Sequence, residues 1–178
     1  LSCPSAHVQP RGGEGALDGD LGKLAADLNA LGAKTAIMPI LRIPDRFGAP
    51  AAGEGFGAYL QRVGAGMTAD DWKANADFLN EKAKGLKAGG IRLGYHNHNF
   101  EFAPVGSTTG LEILLANTDP ALVTFEMDIG WVAAAGADPQ ALLKKHKGRF
   151  SLMHIKDIKA DTKPNFALQM DPADNGAG

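Results

Sequence analysis

Short apolar runs and segments of helical period alternate along this chain, and that alternation leaves few folds open. Residues 2–8 read as a short strand. A helix at 20–31 follows, with Leu21, Leu24, Leu28 and Leu31 at spacings of 3, 4 and 3. Asp18 or Asp20 can cap its start, and Gly32 sits where a helix-ending glycine belongs. Residues 35–40 form an apolar run that suits a buried parallel strand. A loop rich in Gly and Pro occupies about 42–55, with a short helix near 59–63. The clearest helix is 69–88. Thr68 and Asp71 make a capping-box pattern, Trp72, Ala76, Leu79, Ala83 and Leu86 form its buried stripe, and Gly89-Gly90 ends it. A strand at 91–98, a helix near 109–117 and a strand at 122–129 come next. Asp138-Pro139 opens a helix to about Lys147, and a last strand covers 150–156. No element is expected beyond it.

Strands alternating with helices predict βαβ units and a parallel sheet. Neither a Gly-x-Gly-x-x-Gly after the first strand nor a P-loop is present, so the two nucleotide-binding fingerprints are missing. A complete (β/α)8 barrel takes about 250 residues, and this chain has 178. Five strands in that length predict an α/β fold that is part of a TIM barrel, with a small doubly wound domain as the alternative. Glycine, at 23 residues, is about twice its usual share of roughly 7%, which suits many tight turns. The reading is one domain over 1–178 and no second domain. The start at Leu1 without Met and the stop at Gly178 lead us to expect a fragment. Any export signal would precede Leu1, so the expected compartment is cytoplasmic by default and periplasmic if such a signal exists.

Composition removes several function classes. At 44% hydrophobic the chain is not intrinsically disordered. A net charge of −2 argues against a dedicated nucleic-acid binder. No apolar run reaches about 18 residues, so no membrane span is expected. The single cysteine, Cys3, excludes an internal disulfide and a Cys-rich zinc site.

The chemistry-bearing residues lie at strand ends. Period-2 parity puts Arg92, Gly94, His96 and His98 on one face of their strand. Thr124, Glu126 and Asp128 share a face of the next, and Leu152, His154 and Lys156 of the last. The polar residues gather toward the C-terminal ends, where barrel enzymes keep their active sites. Of five histidines, His7, His96, His98 and His154 lie at or near such ends, and only His146 is helical. One histidine there is usually a hydrogen-bonded structural residue. Four on three strands, with Glu101, Glu126 and Asp128, point instead to a ligand set for Mn, Zn, Co or Fe.

Tyr-His-Asn-His-Asn-Phe-Glu-Phe (95–102), Phe-Glu-Met-Asp-Ile-Gly-Trp (125–131) and Met-His-Ile-Lys-Asp (153–157) resemble motifs of the xylose-isomerase-like TIM barrels of sugar phosphate isomerase/epimerase type. The resemblance runs from Ser-Ala-His (5–7) to Asp-Pro-Ala-Asp-Asn-Gly-Ala-Gly (171–178). It implies that 2–8 is the third barrel strand and 150–156 the seventh. It further implies a divalent metal ion held by Asp128, His154 and a third ligand. Glu101 is taken as that third ligand, with His96 the alternative. A fourth ligand, a Glu on the eighth barrel strand, is expected beyond residue 178. Proton transfer is assigned to His96 and His98, with Glu126 beside them to fix a histidine tautomer. His7, Trp131 and Lys156 are placed as substrate contacts: a strand-three histidine, a platform for a sugar face, and a donor to a substrate oxygen or phosphate.

The activity implied is proton abstraction next to a carbonyl in a sugar or sugar phosphate, leading to isomerisation or epimerisation through a metal-stabilised enediolate. A keto-sugar lyase or dehydratase would use the same site. An endonuclease IV-like enzyme and a non-catalytic barrel are more distant readings. The expected partner is a small carbohydrate, with no nucleic acid and no membrane; assembly as a homo-oligomer is compatible with the sequence.

Overall fold

The computed structural model describes residues 2–167. The chain enters through β1 (Ser5–His7) and α1 (Leu21–Ala30). Asp20 caps α1, its carboxylate accepting from the Gly22 and Lys23 amides, which satisfies donors that a helix start leaves free. Leu24 and Leu28 are buried, but Leu31 falls on the C-cap and is 65% exposed, so the expected leucine stripe loses its last member. β2 (Thr35–Met38) comes next, then a 3-10 turn at Asp45–Phe47. α2 (Phe56–Gly66) is longer than the short helix expected there. α3 (Ala69–Ala88) carries both halves of the Thr68/Asp71 capping box and buries Trp72, Ala76, Leu79, Ala83 and Leu86 as its period requires.

β3 (Arg92–His96) leads into a 3-10 turn at Phe100–Phe102. A small hairpin of β4 (Pro104–Val105) and β5 (Thr108–Thr109) was not anticipated. α4 (Gly110–Asn117) follows, and its first residue touches α3: a Cβ on Gly110 would stand 2.3 Å from Trp72 Cε2. β6 (Val123–Asp128) runs straight into α5 (Ile129–Ala134), a helix the sequence reading missed. Asp128 ends the strand and caps the helix, its Oδ1 accepting from the Trp131 amide at 2.9 Å. α6 (Pro139–Lys145) starts at the Asp138 cap, and β7 (Phe150–His154) is the last strand among the described residues. Segment 171–178, part of the sequence resemblance, lies outside them.

The long strands form one parallel sheet in the order β1-β2-β3-β6-β7. Spatial order follows chain order without reversal. A doubly wound sheet reverses at its switch point, so that alternative is set aside. β1 and β6 are three strand spacings apart, about 14 Å in a flat sheet. His7 Nε2 nevertheless lies 3.0 Å from Glu126 Oε2. The sheet therefore curls on itself as part of a barrel.

Parity assigns the two faces. Leu93, Tyr95, Val123, Phe125 and Met127 join the helix stripes in one buried core. Each fully buried side chain of this size contributes about 1.5–3 kcal/mol. The concave face carries the row His7–Ile37–Gly94–Thr124. A Cβ at Gly94 would come within 2.6 Å of Ile37 Cδ1, so the glycine lets its neighbours close over β3. Above that row stand His96 and Glu126, then Asp128 and His154, in register at the strand ends.

Candidate metal centre

Asp128 organises the site. It is fully buried at the end of β6. Its Oδ1 is used by the α5 cap, while Oδ2 has no hydrogen-bond partner. Two imidazoles face that oxygen: His154 Nδ1 at 3.3 Å and His96 Nε2 at 3.7 Å. The ligand atoms of His96, Asp128 and His154 all lie within 4.8 Å of one another. With bonds of about 2.1 Å, tetrahedral ligand atoms stand roughly 3.4 Å apart. An orphaned buried carboxylate oxygen with two imidazole nitrogens at these separations fits a divalent ion.

Behind this set lies a carboxylate relay. Glu126 Oε2 accepts from His96 Nδ1 at 2.8 Å and pairs with His7 Nε2 at 3.0 Å. The hydrogen bond from His96, joined by that from His7, pushes the Glu126 carboxyl down to about 2 against the opposing effect of burial. Burial lowers His96 below its ordinary value, and the Glu126 hydrogen bond only partly offsets it. With Nδ1 donating to Glu126, the other ring nitrogen, Nε2, faces Asp128, the arrangement in which a neutral imidazole offers its lone pair to a metal. A second group, His7, His96 and Glu126, also has its ligand atoms within 4.8 Å, but there the hydrogen bonds already account for the approach.

Asn97 was missed by sequence reasoning. It is fully buried, accepts from the Asp128 amide at 3.1 Å and donates to the Asp128 carbonyl at 3.4 Å. It thereby locks the end of β3 to the end of β6. The available signal was the asparagine set between two strand-end histidines.

Glu101 does not join the metal set. The 3-10 turn folds it inward, where it is fully buried. Its Oε1 accepts the Tyr95 hydroxyl at 2.7 Å and its Oε2 the His98 amide at 2.8 Å. His96, rather than Glu101, stands beside Asp128 and His154, because the end of β3 points across the concave face while residue 101 lies a turn further on. His98 packs its ring 4.8 Å from that of His96 and near-parallel to Phe100 at 5.8 Å. Trp131 is 6% exposed, and the Lys156 ammonium lies over its ring at 4.0 Å. A Cβ on Gly130 would meet Lys156 Cβ and Cγ at 2.9 Å, so that glycine gives the lysine its seat. The Lys156 ammonium thus lies on the indole that the sequence reading offered to a sugar face. His7, at the outer edge, has a side chain 46% exposed.

Strand order, curl and a ligand cluster on the strand C-terminal rim define part of a (β/α)8 barrel with a metal-competent site. Within that class, comparison with known proteins bears out the resemblance to xylose-isomerase-like TIM barrels. No protein-family model matches the chain. A sugar phosphate isomerase/epimerase from Parabacteroides distasonis superposes with a TM-score of 0.64 at 29% identity, over 93% of this chain and 57% of its own. Inosose dehydratase of Bacillus anthracis is 35% identical over 95 residues, which is 53% of this chain and 31% of that enzyme. Inosose dehydratase of Clostridium beijerinckii is 34% identical over 92 residues, 52% of this chain and 30% of the enzyme. The chain thus spans about a third of the length of these curated relatives and just over half of the solved structure. No helix among the described residues is long and apolar enough to cross a membrane.

Proposed function

We propose that this chain carries the metal-binding and proton-transfer residues of an enzyme that removes the proton next to a carbonyl in a sugar or related polyhydroxy ketone. The observation that supports it is the unpartnered Asp128 Oδ2 facing His96 and His154. These three residues would hold a divalent ion; nitrogen and oxygen donors of this kind suit Mn, Zn, Co or Fe. Such an ion supplies Lewis acidity, stabilising negative charge on substrate oxygens as the proton leaves.

The chain's own groups do the rest. Glu126 holds His96 in the tautomer with Nδ1 protonated. Asn97 keeps Asp128 aligned with β3. His98 has its Nδ1 buried, which leaves Nε2 to take the proton and return it. Lys156, seated on Trp131, offers N–H donors to a substrate oxygen or phosphate, and His7 contacts substrate at the open edge. Returning the proton to the neighbouring carbon gives an isomerase, and to the opposite face an epimerase.

A second reading is a dehydratase, in which the carbanion expels a β-hydroxyl. The similarity to inosose dehydratases favours it. Metal analysis tests the shared core: about one metal per chain, lost in Asp128→Ala and in His154→Ala, is expected. Metal retained in both variants overturns the site. Product analysis on keto-sugars and inososes then separates isomer, epimer and dehydrated product.

A further inference from the structure

His98 Nδ1 is buried and has no hydrogen-bond partner. Glu101 Oε1 stands 3.8 Å from it. The same carboxylate already accepts the Tyr95 hydroxyl on Oε1 and the His98 amide on Oε2. A carboxylate oxygen accepts two hydrogen bonds, so Oε1 has a lone pair left for the imidazole. The ring has little freedom otherwise: Phe100 lies 13° from parallel to it and Trp131 is 5.8 Å away.

We propose that Glu101 is the positioning residue of His98. Its Oε1 takes the Nδ1–H of the imidazole, and Nε2 is thereby left as the proton acceptor. The opposite tautomer would aim the Nδ1 lone pair at a buried carboxylate, two concentrations of negative charge in a low-dielectric site, which electrostatics disfavours. The 3.8 Å separation closes when substrate settles against the ring, since such contacts tighten in the reacting complex. Tyr95 and the His98 amide keep the carboxylate from turning away meanwhile. The residue that the sequence motif suggested as a ligand thus acts one step behind a base.

The proposal rests on the reading of His98 as that base, but the tautomer is measurable without turnover. The test is a two-bond 1H–15N correlation of the histidine rings in the zinc-loaded full chain, with His98 assigned by His98→Gln. Nδ1 protonated in the parent, lost in Glu101→Gln and restored in Glu101→Asp, is the expected pattern. With substrate, Glu101→Gln should lower kcat about 10–100-fold, the usual effect of removing such a partner, with KM unchanged. Bound zinc should stay. Nε2–H in the parent overturns the proposal even if no variant folds. An unchanged tautomer in Glu101→Gln overturns it too, and so does loss of zinc there, which would make Glu101 a ligand. Zinc retained in Asp128→Ala would instead sink the metal site while leaving the tautomer result standing.

Discussion

Two buried glutamates stand behind the two histidines at the end of β3, and they are built differently. Glu126 is held from the concave face by imidazoles of β1 and β3, whose donors reach it at 3.0 and 2.8 Å. Glu101 is held from its own turn, by the His98 amide and the Tyr95 hydroxyl. Glu126 joins strands that are far apart in the chain, and its charge is supported by groups of the site itself. Glu101 closes a local loop and holds its carboxyl group 3.8 Å from a ring nitrogen to which it is not hydrogen-bonded. The first arrangement suits fixing a ligand before anything binds. The second suits a contact that completes only when substrate arrives.

The contrast can be broken or sharpened experimentally. Asp128→Asn should have the largest effect. Asparagine still caps α5 but removes the charge, so metal affinity by calorimetry should fall by more than the roughly 10–100-fold typical of outer partners. Glu126→Gln comes next, with a loss within that range, while Glu101→Gln leaves metal affinity unchanged. Equal losses in the two glutamine variants would erase the distinction drawn here. In urea denaturation of the metal-free protein, Glu101→Gln should cost about 1–3 kcal/mol, because its amide NH2 then opposes a buried donor. Tyr95→Phe should cost less, about 0.5–1.5 kcal/mol, with no change in metal content.

A carboxylate outside the site gives the smallest effect and a reference for both. The hydrogen bond from Arg46 pushes Asp71 down to about 2 from 3.8. A lowered folded value means the pair stabilises above pH 3.8 and fades as pH falls toward 2. Arg46 is half exposed, so solvent screening keeps the gain small. Arg46→Ala should narrow the stability difference between pH 5 and pH 2 by that amount.

Much of the frame was legible in the residues. Helix α3 could be read end to end because its stripe, capping box and terminal glycines all agree. The Asp138 cap of α6 was readable for similar local reasons, and the strand ends were read one or two residues beyond His96, Asp128 and His154, where the structure puts them. Helix α5 was not, since Asp128 serves as strand end and helix cap in one residue and the apolar run continues across it. Leu31 kept the right spacing but fell on the C-cap beyond the last turn, where it stays 65% exposed.

The sequence by itself determined the βαβ rhythm, the parity of each strand and the gathering of imidazoles and carboxylates on one rim. Those are consequences of periods 2 and 3.6 and of short-range capping. Which carboxylate meets which histidine was decided only by the tertiary structure. Curling the sheet brings Glu126 to His7, 119 positions away, while the 3-10 turn after β3 folds Glu101 under His98. Chain spacing carries no information on a distance set by curvature, so which groups of distant strands face one another had to come from the fold.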